Sequence, residues 1–476
     1  MTAEQRLTFA ELLARSQTFS RAALASGLHA GDRVAMWAPN TADWIIAGLG
    51  LSSIGVVLVP VNTRFKGEEA RYLLDRTTVA ALFVDDVFLT GLLGSDPLSA
   101  LGNPQVQVIR TSHLEAFLAR ASEVSLEEVE KAAETVSEDD PSDIIFTSGT
   151  TGKPKGAIAR HGQSIGLFRT WADTVGLRDG ERMLVVAPFF HTFGYKAGLL
   201  ACLMKNATCV PLKVFDVDEA VRTITRERID VIPGPPTLYS SLLEQPSQLP
   251  PIRLAVTGAA VVPTALIERM RNELGFQEVI TAYGLTECGG LATACRPGDL
   301  DEVISLTSGR AVDGVEVRVL AETGQPGEVL VRGYGVMSGY WEDPEATAEA
   351  LDPEGWLHTG DIGVMDEAGN LRITDRLKDM YVVGGFNAYP AEIEQVLVRH
   401  DAISEAAVIG VADDRMGEVG KAFVVARTGC EVTPEQVIAW CRELLANYKV
   451  PRYVEIVGAL PRNATGKVTK NELRSL

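Results

Sequence analysis

One pattern repeats through the first 260 residues: a short, almost wholly apolar run, then a stretch with helical spacing. The runs Val34–Trp37, Val56–Val59, Ala81–Val84, Met183–Ala187, Asp230–Ile232 and Arg253–Thr257 hold too few polar residues to face water on either side. Strands buried on both faces belong to parallel sheets covered by helices. Between the runs, Phe9, Leu12, Leu13, Phe19, Ala23 and Leu24 mark one helical face that Thr8 can cap, and Thr41 can cap a helix carrying Trp44. Glycines and serines interrupt the apolar stretch Trp44–Val61, so it reads as a buried helix and then a strand, not as a membrane span. A further helix is expected around Tyr195–Met204.

The pattern changes after Ser308. Short strands with glycine turns are expected at Val315–Leu320, Glu328–Arg332, Asp361–Met365 and Leu371–Thr374, making a small β-rich subdomain. The last hundred residues read as an α+β unit. Its first helix begins at Pro390 with Ile393, Val396 and Leu397 inward; strands follow at Ala406–Val411 and Ala422–Ala426, then a helix at Pro434–Ala446. The fold class is therefore α/β: a large domain, 1–375, of helix-flanked sheets, and a small domain, 376–476.

With 476 residues the chain can bury more than one core. Its formal charge of −19 argues against nucleic acid as a partner and requires any polyphosphate to be held by local cations. The six cysteines show no C-x-x-C spacing, which suggests free thiols in a reducing cytoplasm. Met1–Arg6 lacks a signal peptide's apolar core.

The stretch from Asp143 to Gly156 begins as a buried strand and becomes a loop of hydroxyls, glycines and lysines. Glycines let backbone N–H groups approach an anion. Ser148, Thr150 and Thr151 offer oxygens to phosphate or Mg²⁺, and Lys155 adds charge. This is not a G-x-x-x-x-G-K-[ST] loop, because Thr147 and Pro154 occupy two of its required positions. Nor is Gly333–Gly339 a dinucleotide fingerprint: its spacing is off by one, and it leads into Tyr340–Pro344, read as a turn and not as a helix start.

Five further segments carry candidate chemistry. Pro188-Phe-Phe-His191-Thr-Phe-Gly194 makes an apolar wall with His191 as its polar tip, or else holds a satisfied core histidine. Thr257-Gly258-Ala259-Ala260 could let a flat ring lie on the backbone. In Tyr283-Gly284-Leu-Thr286-Glu287, the ring could stack on a base, Thr286 could bond a phosphate and Glu287 could hold Mg²⁺; a capped helix start is the plainer alternative. Asp361, placed at the head of a strand after Gly355–Gly360, suits the two hydroxyls of a ribose. Pro461–Val468 presents Lys467 beside a glycine, where most lysines are merely solvated.

Taken in order, these segments resemble the adenylate-forming superfamily of acyl- and aryl-CoA synthetases, peptide-synthetase adenylation domains and beetle luciferases. The likeness runs from about residue 8 to the end. It implies that Thr147, Ser148, Gly149, Thr150, Thr151, Gly152 and Lys155 hold the β- and γ-phosphates of ATP, with Thr150 near Mg²⁺. It implies that Gly258, Ala259, Ala260, Tyr283 and Gly284 enclose adenine, that Thr286 touches the α-phosphate, and that Glu287 ligates Mg²⁺. Asp361 and Arg376 would grip the ribose, and Lys467 would bridge the acid and the α-phosphate. Lys378 would be the hinge, and Gly384 and Gly385 would line the pantetheine channel of CoA. Asp375 departs from the glycine that many relatives place there. PFFHTFG lacks the Asp that amino-acid-activating relatives use for an ammonium, and no carrier domain follows Lys467, so CoA is the expected acceptor. PFFHTFGYKAG and TAYGLTECGGLATACRPGD are similar to actinobacterial acyl-CoA synthetases of sterol-ring breakdown. That implies a fused-ring propanoate as the acid, with fatty or aryl acids, or loading of a carrier protein, as alternatives.

Overall fold

The apolar runs become strands. The structure, a computed structural model, describes residues 5–102, 105–147, 154–245, 249–258, 264–325, 327–376, 381–388, 390–461, 468 and 470–474. The chain divides into two compact units: 1–63 with 70–146 and 156–374, and 64–69 with 147–155 and 375–476.

A six-stranded sheet contains β1 (Arg33–Trp37), β2 (Val57–Pro60), β3 (Ala81–Val84), β4 (Gln107–Arg110), β5 (Pro141–Thr147) and β6 (Lys155–Arg160), in the order β4-β3-β1-β2-β5-β6. A seven-stranded sheet contains β7 (Arg182–Val185), β8 (Thr208–Pro211), β9 (Val231–Pro233), β10 (Ile252–Gly258), β11 (Phe276–Tyr283), β12 (Thr293–Ala294) and β13 (Arg310–Ala311), in the order β13-β12-β11-β10-β9-β7-β8. In this second sheet, β7 to β11 pair in parallel and the last two strands run antiparallel. The strands β1, β2 and β3 are buried along nearly their whole length, as two-sided burial demands.

Local chemistry sets the helix starts. Thr8 and Glu11 form a capping box for the helix Phe9–Ala25, and Thr41 accepts from the Trp44 amide at the start of Ala42–Ser53. Trp44 is fully buried, with its ring 5.0 Å from Phe189 and 5.3 Å from Tyr195. The helix expected from Tyr195 begins earlier, as a wide π-type helix over Phe193–Leu200, and continues as an α-helix at Ala201–Met204. Among the described residues no helix is long and apolar enough to cross a membrane.

The β-rich part is a four-stranded sheet of β14 (Val315–Val319), β15 (Gly327–Gly333), β16 (Leu357–Met365) and β17 (Leu371–Arg376). Two expectations need correction here. Asp361 lies in the middle of its strand and not at its head, because Leu357 and His358 already pair with Val331 and Leu330. After the turn at Tyr340–Glu342, a helix does start at Pro344, where Asp343 caps the Ala346 amide.

In the second unit, β18 (Tyr381–Val383), β19 (Phe386–Ala388), β20 (Ile403–Asp413), β21 (Gly417–Ala426) and β22 (Tyr453–Ile456) form a mixed sheet. Helices Pro390–Leu397 and Pro434–Leu444 accompany it, with Ile393, Val396 and Leu397 buried as the sequence spacing requires.

Candidate active site

The strands β7, β10 and β11 run parallel in one sheet, so the segments after them leave at the same edge. That edge is where α/β sheets bind ligands. Gly258 ends β10 opposite Ala282 of β11. A Cβ on Gly258 would lie 2.4 Å from the Ala282 carbonyl oxygen, so only glycine lets the strand ends approach this closely.

Tyr283 ends β11, and its hydroxyl donates to Asp361 Oδ2 at 2.7 Å. Burial, reinforced by the Asp361 charge, pushes the phenol well above its ordinary pKa and keeps it a donor. Asp361 is buried, and its backbone is held by neighbours: its amide donates to Thr359 Oγ1 at 3.1 Å, and Thr359 Oγ1 donates to the Val329 carbonyl at 2.7 Å. Gly360 takes φ = 70°, a left-handed conformation, and its amide donates to Glu328 Oε1 at 3.2 Å.

The chain after Tyr283 makes a single 3₁₀ turn, Thr286–Cys288, and doubles back through Gly289 and Gly290. A Cβ on Gly284 would sit 2.4 Å from the Gly290 carbonyl carbon. This fold-back fixes Thr286 and Glu287 side by side. Glu287 Oε1 accepts the Tyr340 hydroxyl at 2.9 Å, and its carbonyl accepts the Met337 amide at 2.8 Å. A half-buried carboxylate beside a hydroxyl is a hard-oxygen donor set that could hold a divalent cation. No group of three His, Cys, Asp or Glu suited to a metal occurs among the described residues. One carboxylate and one hydroxyl are the kind of donors that Mg²⁺ takes alongside phosphate oxygens and water. The neighbouring Cys288 thiol is pushed up to about 12 by burial, which leaves it unreactive at neutral pH.

His191 stands in the turn after β7. Its ring is open to water yet densely surrounded. That crowding pulls its pKa down to about 4, so the ring is neutral near pH 7. Nδ1 accepts the Phe193 amide at 3.2 Å. Gly194 must be glycine, because a Cβ there would lie 2.2 Å from the Pro188 carbonyl oxygen.

Thr147 ends β5 and Lys155 begins β6. Gly384 and Gly385 form the β18–β19 turn with φ of 56° and 85°. The Gly384 amide donates to the Met416 carbonyl at 2.8 Å. Arg376 ends β17. Ser148, Gly149, Thr150, Thr151, Gly152, Ala259, Ala260, Lys378 and Lys467 lie outside the described residues. The structure thus brings Tyr283 together with Asp361, and Glu287 with Tyr340. A separate recess of about 450 Å³ on the first unit, lined by Asn40, Asp85, Ser112, Lys213 and Arg226 among others, includes none of the candidate residues.

Residues 1–341 match the AMP-binding enzyme family, and residues 392–467 match the AMP-binding enzyme C-terminal domain. The chain belongs to the AMP-binding enzyme family. It is 48% identical to the 3-(7a-methyl-1,5-dioxo-octahydro-1H-inden-4-yl)propanoyl:CoA ligase of Rhodococcus jostii, over 98% of this chain and 93% of that one. The ligase of the same name from Mycobacterium tuberculosis is 48% identical over 99% of this chain and 94% of its own. Among solved structures, a double mutant of o-succinylbenzoate CoA synthetase from Bacillus subtilis, bound to a product analogue, superposes with a TM-score of 0.86 at 28% identity, covering 100% of this chain and 95% of that one. This AMP-binding enzyme is an AMP-forming acid–thiol ligase that uses ATP and CoA.

Three features of the enzyme escape a reading of motifs alone. Tyr340, the partner of Glu287, sits in a glycine-rich stretch whose turn chemistry masks it. Lys196 and Asp143, buried and paired, are the other two. Their signal is a lone charge inside an apolar run.

Proposed function

We propose that the acid activated is a propanoate carried on a fused, oxidised ring system of the kind named for the two relatives. The observation that carries this reading is 48% identity to each of the two ligases over 98–99% of this chain.

The residue roles follow from charge development. A carboxylate is a poor electrophile. One of its oxygens attacks the α-phosphorus of ATP, a P–O bond to the β-phosphate breaks, and pyrophosphate departs, leaving an acyl-adenylate. Lys467 offsets the charge gathered at the α-phosphate, and Thr286 donates a hydrogen bond there. Residues 147–155 hold the departing phosphates. Tyr283 and the backbone at Gly258 flank adenine, while Asp361 accepts from the ribose and is aimed by the Tyr283 hydroxyl. Glu287 would hold Mg²⁺, which when bound would supply charge neutralisation to the phosphates. In the second step the CoA thiol, having given its proton to solvent, attacks the acyl carbonyl as thiolate, the C–O bond to AMP breaks, AMP departs, and a thioester forms. Residues 376–476 act as a lid that pivots at Lys378, using Lys467 in the first step and the Gly384–Gly385 turn in the second.

The test is AMP release with ATP and Mg²⁺, with and without CoA, across three acids: the dioxo-octahydroindene propanoate, octanoate and benzoate. The expected result is CoA-dependent turnover with kcat/KM for the ring acid at least about tenfold above the others, a margin of about 1.4 kcal/mol in transition-state binding. A preference for octanoate or benzoate sinks the substrate assignment. Turnover that needs a carrier protein in place of CoA sinks the acceptor.

A further inference from the structure

Lys196 is 2% exposed and Asp143 is 1% exposed, with Lys196 Nζ 2.9 Å from Asp143 Oδ1. The desolvation of a buried ion pair can exceed its Coulombic gain, so stability alone does not account for this one. The surroundings suggest a use. Lys196 Nζ donates to Ser164 Oγ at 2.9 Å, and Ser142 Oγ donates to Asp143 Oδ2 at 2.7 Å. The two serine hydroxyls lie 3.3 Å apart. Three elements therefore meet at one ammonium: β5, the helix His161–Thr174 and the wide helix Phe193–Leu200.

Each element leads to a different part of the proposed site. Asp143 sits four residues before the end of β5 at Thr147, roughly 13 Å along the strand. Lys196 comes after His191 by little more than one turn of chain. The wide helix is wedged at both ends, since a Cβ at Gly194 would strike the Pro188 carbonyl and one at Gly198 would lie 2.6 Å from Val185 Cγ1. Thr192, just before the helix, is packed against the fold-back after Glu287: a Cβ on Gly290 would lie 2.4 Å from Thr192 Cγ2. Wide helical turns are rare and occur often at functional sites. Here the extra width lets a lysine reach inward to a strand.

We propose that the Lys196–Asp143 pair is a positioning device. It fixes the acid-binding wall around His191 against the strand that carries the phosphate loop, so that carboxylate and α-phosphate meet in register. The inference rests on the roles given above to His191 and residues 147–155. It separates the two half-reactions. Adenylation needs two independent molecules aligned, and misplacement by about 1 Å can cost on the order of 100-fold. Thioester formation starts from an acyl-adenylate, whose covalent bond already fixes acid to phosphate.

The experiment uses the full chain with Lys196→Met and Asp143→Val combined, because replacing a buried pair by apolar groups is often neutral for stability. The single variant Lys196→Met, which strands Asp143, is run beside it. Pyrophosphate exchange with the dioxo-octahydroindene propanoate and with octanoate reads adenylation. CoA transfer from supplied octanoyl-adenylate reads the second step, and thermal unfolding reads the fold. The double variant should melt within a few degrees of the native chain, lose roughly 10- to 100-fold in adenylation kcat with KM for ATP and acid changed less than about threefold, and keep transfer within about twofold. Native adenylation kcat in the folded double variant overturns the proposal and leaves the pair a structural feature. Equal loss in both half-reactions also overturns it. A native chain with no acid-dependent exchange would instead defeat the functional reading on which it rests, and this proposal with it.

Discussion

Among the described residues each unit buries one lysine almost completely, and the two are partnered differently. In the first unit Lys196 meets one carboxylate and one hydroxyl, and the charge is balanced within a network of serines. In the second unit Lys449, 1% exposed, lies between two carboxylates, 2.6 Å from Glu392 Oε1 and 3.0 Å from Glu69 Oε1, with the Phe65 ring 4.4 Å away. Burial alone would strip its proton, but the neighbouring anionic groups overcome that and hold it charged, well above the ordinary lysine pKa of 10.5. A neutral pair spread through hydroxyls can set the register of several elements. A cation outnumbered by anions works as a lock.

The contrast breaks most directly at the lock. Lys449→Met leaves Glu392 and Glu69 buried without their counter-charge and should lower unfolding free energy by about 3–5 kcal/mol in urea titrations. Native stability in that variant would make the triad ornamental. The pH dependence has a definite sign: a raised folded-state pKa gives stability that is complete below about 10.5 and lost as alkali rises beyond it.

A third lysine sharpens the comparison, because it is assigned to the reaction and not to the fold. Lys467→Ala should leave the melting curve unchanged and slow acid-dependent pyrophosphate exchange by ~10²–10³, while transfer from supplied acyl-adenylate survives. Equal loss in both steps would remove it from the first. Smaller again is Tyr283→Phe. Asp361 would lose one of its donors, and KM for ATP should rise on the order of tenfold, consistent with the ~1–3 kcal/mol cost of an unmet buried acceptor. An unchanged KM would detach the pair from nucleotide binding. The smallest effect is expected at His191. Its ring is already neutral, with a pKa of about 4, so His191→Gln should leave the shape of the adenylation rate profile unaltered between about pH 5.5 and 8. An inflection near pH 6.5 that disappears in the variant would show a titrating ring.

Much of this architecture is legible in the chain itself. Ala81–Val84 and the Pro390 helix stand where their patterns place them, because two-sided burial and a 3.6-residue repeat are written in consecutive residues. Asp361 is misplaced within its strand by sequence alone because Gly360 reads locally as a turn, whereas pairing with β15 carries the strand through it. The wide helix is invisible there, since its winding depends on carbonyls and a valine contributed by β7 and the residues just after it. Lys196 and Asp143 show only as stray charges in apolar runs. Neither means much until the other is found beside it.

The wide helix Phe193–Leu200 holds a surplus residue that an ordinary helix would not accommodate. That surplus behaves like a vernier. Excising one residue ahead of Lys196 would let the segment rewind as an ordinary α-helix, absorbing the deletion downstream while narrowing the turn from which the ammonium reaches its anchor. No group that meets ATP would change. Length variation at this one place is therefore a path by which such a ligase could drift toward acids of another shape while its activating chemistry stayed intact.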